Sequence, residues 1–189
     1  MIIKLKTKKF NHRSHTERTS QGYTFIELLL YISIVTIFIS GAVRFAWNIA
    51  YGQVKSDVQR EVIQNLRLAI KRTVYEIRNA SAINSLATND ICLASTNSNY
   101  NPIRIYVAND RLRIGWGGGG NNCSSPTNDE VLTSNEVVVS NLTFTDFTSP
   151  ASESINIGLN LTIEYSNQSG RREFEFNETY TTSVELRSN

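Results

Sequence analysis

The pattern of apolar and polar positions is clearest between residues 23 and 43, where the sequence reads YTFIELLLYISIVTIFISGAV and Glu27 is the only charged residue. At 1.5 Å per residue this run forms a helix about 30 Å long, which is the thickness of the bilayer hydrocarbon. It is longer than the apolar core of a cleaved secretory signal, and Arg44 and Trp47 follow it instead of small residues. The pattern predicts a transmembrane helix over residues 23–43.

Beyond this run the helical period continues but only one stripe is apolar. The stripe recurs every three or four residues, at Val54, Val58, Val62, Leu66, Ile70, Val74 and Ile77. No proline interrupts residues 23–79. We therefore expect one helix over 23–79, with an amphipathic half at 44–79 that packs on a globular domain.

From residue 80 onward the period changes from 3.6 to 2, which indicates β-strands. Short strands are predicted at 91–95, 103–108 and 111–116, the last two joined by a tight turn at Asn109-Asp110. GGGGNN at 117–122 is expected to be a flexible loop, and it lacks the flanking Lys-Ser/Thr of a phosphate-binding loop.

The last fifty residues give the strongest strand signal. One strand is expected near 137–144, a second with strict alternation at 155–165, and a third over 174–186 after the turn at 167–170. The second and third are expected to pair antiparallel. The fold class predicted is α+β: a basic leader at 1–22, a long helix at 23–79, and an antiparallel β-sheet domain at 80–189.

Charge is concentrated at the amino terminus. Residues 1–21 contain six of the nineteen Lys/Arg residues and one acid, Glu17, and the remaining chain is mildly acidic. Basic residues before the apolar run place the amino terminus in the cytoplasm and the β-rich domain outside it, as a single-pass protein of the cytoplasmic (inner) membrane. No nucleic-acid partner is expected from this charge distribution.

Two cysteines, Cys92 and Cys123, lie in the polar half of the chain. An oxidising compartment would let them form a disulfide bond, and free thiols are the alternative. The loop of about 30 residues would make such a bond worth on the order of 3–4 kcal/mol.

Candidate catalytic and metal-binding groups are sparse. Both histidines, His12 and His15, lie in the leader, and the spacing of the Ser, Asp and Glu residues indicates no pairing of a nucleophile with a base. The Asn/Asp-rich stretches at 88–90 and 127–130 are interpreted as solvated turns and not as calcium loops. We predict no enzymatic activity, no cofactor and no metal site.

Glu27 is the residue whose position most needs an explanation. A carboxylate four residues inside a lipid-facing helix costs roughly 2–3 kcal/mol or more on insertion, and such residues usually have a partner and a function. An ordinary interfacial carboxylate in a signal anchor is the alternative. Gly22, directly before the run, would let the peptide backbone enter a narrow protease cleft in an extended form.

Together with the basic leader, the segment Gly22-Tyr23-Thr24-Phe25-Ile26-Glu27-Leu28-Leu29 resembles the processing site of type IV prepilins and type II secretion pseudopilins. The resemblance implies that a membrane-embedded prepilin peptidase cuts between Gly22 and Tyr23 and methylates the new amine of Tyr23. It also implies that Glu27, then the fifth residue, attracts the amine of a neighbouring subunit during assembly.

Weaker similarities extend further along the chain. The strings at 75–80, 138–144 and 181–187 resemble minor pseudopilins of the J class and minor pilins of the W class. The implied partners are prepilin peptidase, other pilins or pseudopilins, an inner-membrane assembly platform and membrane lipid. The function expected is a minor pilin or pseudopilin. A major pilin, or an adhesin or ligand-binding module on a pilin anchor, is the alternative.

Overall fold

The computed structural model describes residues 23–119, 123–149 and 154–187; the predicted leader lies outside these ranges. Within them the chain forms one α-helix and eight strands in two antiparallel sheets, an α+β fold. The chain divides into two units, Met1–Ala46 and Trp47–Asn189, which are described separately below.

Helix α1 spans Phe25–Asn79, so it begins two residues after the predicted start and ends at the predicted residue. The apolar stripe in its second half is confirmed. Val62 and Ile77 are completely buried, while Val54, before the buried part, and Val74, within it, have intermediate exposure. The helix ends where the backbone N–H of Arg187 donates to the carbonyl oxygen of Arg78 at 3.2 Å. This bond satisfies one of the carbonyls left open at a helix end.

The first sheet has five strands in chain order: β1 (Ala82–Ala87), β2 (Asp90–Ala94), β3 (Ile103–Ala108), β4 (Arg111–Trp116) and β5 (Asn128–Val131). The predicted strands at 91–95, 103–108 and 111–116 are confirmed to within one residue. Asn109 and Asp110 both have positive φ, 53° and 59°, which is the geometry of a two-residue hairpin turn.

Two strands of this sheet were not predicted. A register shift between Ile83 and Ser85 interrupts the alternation in β1, so its sequence carries no period-2 signal. The interpretation of residues 127–130 as a solvated turn is wrong, because residues Asn128–Val131 pair with β4 as an edge strand. That strand is mostly exposed and has no apolar alternation; backbone pairing defines it.

The second sheet contains β6 (Val137–Asp146), β7 (Asn156–Tyr165) and β8 (Asn177–Glu185), with β7 in the centre. The antiparallel pairing of the last two strands is confirmed. The predicted strand over 174–186 starts too early: Phe174 lies outside β8, since residues Arg172–Phe174 form a short 3₁₀ turn.

The expectation of one sheet is wrong, and β6 shows the reason. Its backbone N–H groups at Val139 and Phe144 donate to the carbonyl oxygens of Asp110 and Thr88, at 2.8 and 2.7 Å. Those acceptors lie in the β3–β4 and β1–β2 turns. The second sheet therefore meets the turns of the first and does not extend its ladder. Alternation predicts which face of a strand is buried, but not which strands are neighbours.

A single apolar core joins α1 to both sheets. Its least exposed members on β7 are Ile157, Leu159, Leu161 and Ile163, each at most 1% exposed. They alternate with polar neighbours as the sequence predicted. Each buried side chain of this size contributes about 1.5–3 kcal/mol, so the alternation along β7 accounts for much of the stability of the domain.

The structure contains a disulfide bond between Cys92 of β2 and Cys123, with Cα atoms 5.9 Å apart. Both residues are buried, at 1% and 8% exposure. The bond closes the loop that carries β3, β4 and the glycine segment, in which Gly117 to Gly119 all have positive φ.

We expect the full chain in detergent to show no reactive thiol when labelled under denaturing, non-reducing conditions. Replacing both cysteines, Cys92→Ser with Cys123→Ser, should lower the free energy of unfolding by about 3–4 kcal/mol, because the unfolded chain regains the freedom of the closed loop. Denaturant titration of the parent and the double variant measures this. Two freely labelled thiols in the parent would contradict the bond.

Candidate functional site

The first turn of α1 is stabilised by Thr24, immediately before the helix. The Thr24 hydroxyl oxygen accepts a hydrogen bond from the backbone N–H of Glu27 at 3.4 Å, and the Thr24 carbonyl accepts one from Leu28 at 3.1 Å. Thr24 and Glu27 occupy the first and last positions of the T-x-x-E capping pattern. This role of Thr24 was not predicted, although the T-x-x-E pattern is present in the sequence.

Glu27 is exposed, and its carboxylate makes no hydrogen bond or ion pair with any of the residues that the structure describes. It lines a hollow together with Tyr23, which precedes the helix, and Tyr31, which lies one helical turn after it. The positive end of the helix dipole favours a carboxylate in this turn. The helix dipole therefore gives the Glu27 carboxylate a local role, whereas the observed cap is made by the Thr24 hydroxyl and the Glu27 backbone N–H.

Other polar side chains of the same segment are satisfied inside the helix. The hydroxyls of Ser33, Thr36 and Ser40 donate to the carbonyls of Leu29, Ser33 and Thr36, at 2.8, 2.9 and 2.7 Å. Such bonds remove the cost of placing a hydroxyl in hydrocarbon. Glu27 is the one charged residue of the apolar run at 23–43, and its carboxylate makes no such bond to any described residue.

The surface of the amino-terminal unit is apolar and open. Twelve large apolar side chains between Phe25 and Val43 are about half exposed or more, and the most apolar 18-residue window has no buried residue. At about 1.5–3 kcal/mol per side chain, leaving this surface in water would cost on the order of 20–30 kcal/mol. That exceeds the 5–15 kcal/mol stability of a typical domain.

This segment is long and apolar enough to cross a membrane, by length and composition. Both a membrane anchor and a signal sequence fit this observation. Lipid or other protein must therefore cover the surface.

The predicted cleavage point is described only on one side. Gly22 lies outside the described residues, whereas Tyr23 precedes the helix and is 84% exposed. An amine formed on Tyr23 would lie at the positive end of the helix, where a positive charge is disfavoured. A nearby carboxylate would offset this unfavourable interaction, and Glu27 lies four residues after Tyr23.

Charged side chains of the first sheet form ion pairs. On one face of the first sheet, Arg104 binds the Asp90 carboxylate at 2.6 Å and lies 4.4 Å from the centre of the Tyr106 ring. The hydrogen bond to Asp90 raises the pKa of the Arg104 guanidinium. Arg113 and Asp129 form the corresponding pair between β4 and β5. These pairs join adjacent strands.

Polar side chains in the second half of α1 are paired within the helix or with the loop before β6. Glu76 is 7% exposed and contacts Arg72 at 2.8 Å; burial raises its pKa, and the Arg72 charge opposes the shift. Asn65 accepts a bond from the backbone N–H of Ser134 at 2.8 Å, and the Ser134 hydroxyl donates to Glu61 at 2.7 Å. Among the described residues, no group of three or more His, Cys, Asp or Glu is placed to hold a metal ion.

Comparison of the chain with protein-family models, curated proteins and solved structures finds no match. The residues of the chain itself are therefore the basis for any function assigned to it. Of the residues predicted from sequence, Tyr23 and Glu27 line one hollow, and Cys92 and Cys123 are bonded.

Proposed function

We propose that this protein is a membrane-anchored subunit of a filament of the type IV pilus or type II secretion kind, most similar to the minor pilins and pseudopilins. Prepilin peptidase cuts the precursor between Gly22 and Tyr23 and methylates Tyr23. The anchor holds the subunit in the inner membrane with the β-rich domain outside. An assembly platform then moves the subunit into the filament with its partner pilins.

The observation that carries the proposal is a helix surface that cannot remain in water and that contains one carboxylate without a partner. Lipid covers such a surface before assembly, and neighbouring helices cover it afterwards. Glu27 is the fifth residue counted from Tyr23, so its charge lies close to the amine that cleavage would produce. An ordinary anchor has no use for a charge at that depth.

The continuous helix supports the same proposal. Its first half offers an apolar surface to lipid or other helices, and its second half holds a domain through a buried stripe. A filament built on bundled helices needs both properties in one element. The α+β fold supplies them.

Co-purification from the native host tests this function. We expect the tagged full chain to sediment with filaments sheared from the cell surface, or to cross-link to partner pilins in the membrane fraction. Deleting the prepilin peptidase should abolish both. A chain that stays in the membrane without pilin partners, and is indifferent to the peptidase, would contradict the proposal.

A further inference from the structure

The β-rich unit carries an open basic groove at the carboxyl end of α1. The groove has a volume of about 860 Å³, and Lys71, Arg78 and Arg187 are among its lining residues, with Glu185 as its one lining acid. The three basic residues are exposed. Tyr75, also in the lining, is 59% exposed and gives the groove an aromatic wall.

An acidic edge lies at the opposite end of the second sheet. Two adjoining hollows there are lined by Glu136, Glu164 and Glu175 together with Tyr165 and polar side chains. Two arginines contact the lining: Arg171, paired with Glu173, lies 5.5 Å from the centre of the Phe174 ring, and Arg111 donates to Asn135. The three lining glutamates leave the edge acidic. Glu136 and Glu175 are exposed, and Glu164 is half-buried. The Tyr165 hydroxyl donates to Glu136 at 3.3 Å, and its pKa is raised by desolvation and by that carboxylate.

The two surfaces are separated along the helix. The basic groove lies at Arg78, whose carbonyl accepts the backbone N–H of Arg187. The acidic edge lies near Glu61, because Ser134 in the loop before β6 bonds to the Glu61 carboxylate. Seventeen residues of helix span about 25 Å. Strand β7 connects the same two ends, since Asn156 pairs with Glu185 and Glu164 pairs with Asn177.

The favourable interaction of a cation with the helix dipole explains only one of the three basic residues in the groove. Arg78 is in the last turn of α1, where a cation complements the helix dipole. Lys71 is two turns earlier, beyond the reach of that effect, and Arg187 comes from another element. Three cations that converge from two elements, with one opposing acid, leave an excess positive charge that the described residues do not neutralise.

We infer that the basic groove of one copy of this chain binds the acidic edge of a second copy, in a head-to-tail contact along the helix direction. This contact rests on the proposed filament function, and it makes a second copy of the chain the partner. Opposite charges at opposite ends make the contact heterologous. A heterologous contact that does not close generates an open chain of subunits, which is what a filament requires.

Engineered cysteines in the full chain test the contact. The native cysteines are bonded to each other, and no free cysteine is found among the described residues. Arg78→Cys and Glu164→Cys would therefore supply the thiols that can cross-link. After mild oxidation in membranes or detergent, the double variant should form a ladder of dimers, trimers and longer species on a non-reducing gel. A mixture of the two single variants should give dimers alone.

A matched control uses Thr181→Cys with Glu164→Cys, since Thr181 is an exposed residue on β8 outside the groove and the edge. This pair should not form a ladder. Single variants that cross-link as well as the double variant would indicate a symmetric, like-to-like contact and overturn the inference. So would the absence of any ladder in the double variant.

Charge reversal gives a second readout. Lys71→Glu with Arg78→Glu should reduce self-association on the order of tenfold, and Glu164→Lys with Glu175→Lys should do the same. Mixing the two reversed chains should restore association. A failed restoration would contradict the contact.

Failure of this inference is distinguishable from failure of the filament function. If the parent co-purifies with filaments but no ladder forms, the filament function stands and the contact is wrong. If the ladder forms but the parent is absent from filaments, self-association stands and the filament function is wrong.

Discussion

Replacing Gly22 with tryptophan is expected to leave the uncut precursor in the membrane and to abolish its assembly. A large side chain at this position would prevent the extended peptide from entering the protease cleft. The leader adds 22 residues, so immunoblots of membranes should show a shift of about 2.6 kDa relative to the processed parent. Gly22→Ala is the matched control and should retain partial processing.

Normal cleavage of the tryptophan variant would contradict the role assigned to Gly22. An uncut precursor in a host that also lacks the peptidase provides the size standard. Because Gly22 precedes the helix, neither variant should change the folding of the β-rich domain, and the disulfide should form in both.

The second large effect is expected at Glu27. Glu27→Ala should insert in the membrane at least as well as the parent, because removing the charge lowers the insertion cost by roughly 2–3 kcal/mol. Incorporation into filaments should nevertheless fall at least tenfold, since breaking a charge pair in a medium of low dielectric leaves the other charge unpaired, at a cost of about 3–5 kcal/mol. The ratio of the variant in sheared filaments to the variant in membranes measures the effect.

Two further variants separate the charge of Glu27 from the cap that Thr24 provides at the first turn. Glu27→Gln keeps a side chain suited to the capping position but removes the charge. Thr24→Ala removes the hydroxyl that accepts the Glu27 N–H and keeps the carboxylate. If the charge matters for assembly, the glutamine variant should fail and the alanine variant at Thr24 should succeed. The reverse result would show that assembly depends on the Thr24 cap and not on the charge of Glu27.

The helix was largely predictable because its period is local. The spacing from Val54 to Ile77 determines a single buried stripe, and the structure buries that stripe. The strict alternation in β7 has the same origin. Where burial is one-sided and uninterrupted, the pattern of apolar residues predicts the element and its inward face.

Sheet partners were less predictable because pairing is not local. The bulge between Ile83 and Ser85 hides β1, and the sequence of β5, Asn-Asp-Glu-Val, has no apolar alternation. The division into two sheets depends on hydrogen bonds from β6 to turns about 30 and 55 residues earlier. No local pattern records those bonds.

The residues of the candidate site were also predictable only where the sequence signal is local. Glu27 is conspicuous in sequence because a lone carboxylate interrupts an apolar run. Lys71 and Arg78 are seven residues apart and share a helix face, so half of the basic groove was readable. Arg187 joins them only after β8 is placed against the helix end, and the acidic edge likewise combines residues from strand β7 and two separate loops.

Mass spectrometry of the amino terminus tests the central claim most directly. The chain, purified from membranes and filaments of its own host, should begin at Tyr23 and carry one methyl group on its amine, about 14 Da above the unmodified peptide. Loss of the peptidase should return the intact leader. Mature protein that still begins at Met1, or that is cut at another position, would contradict the account.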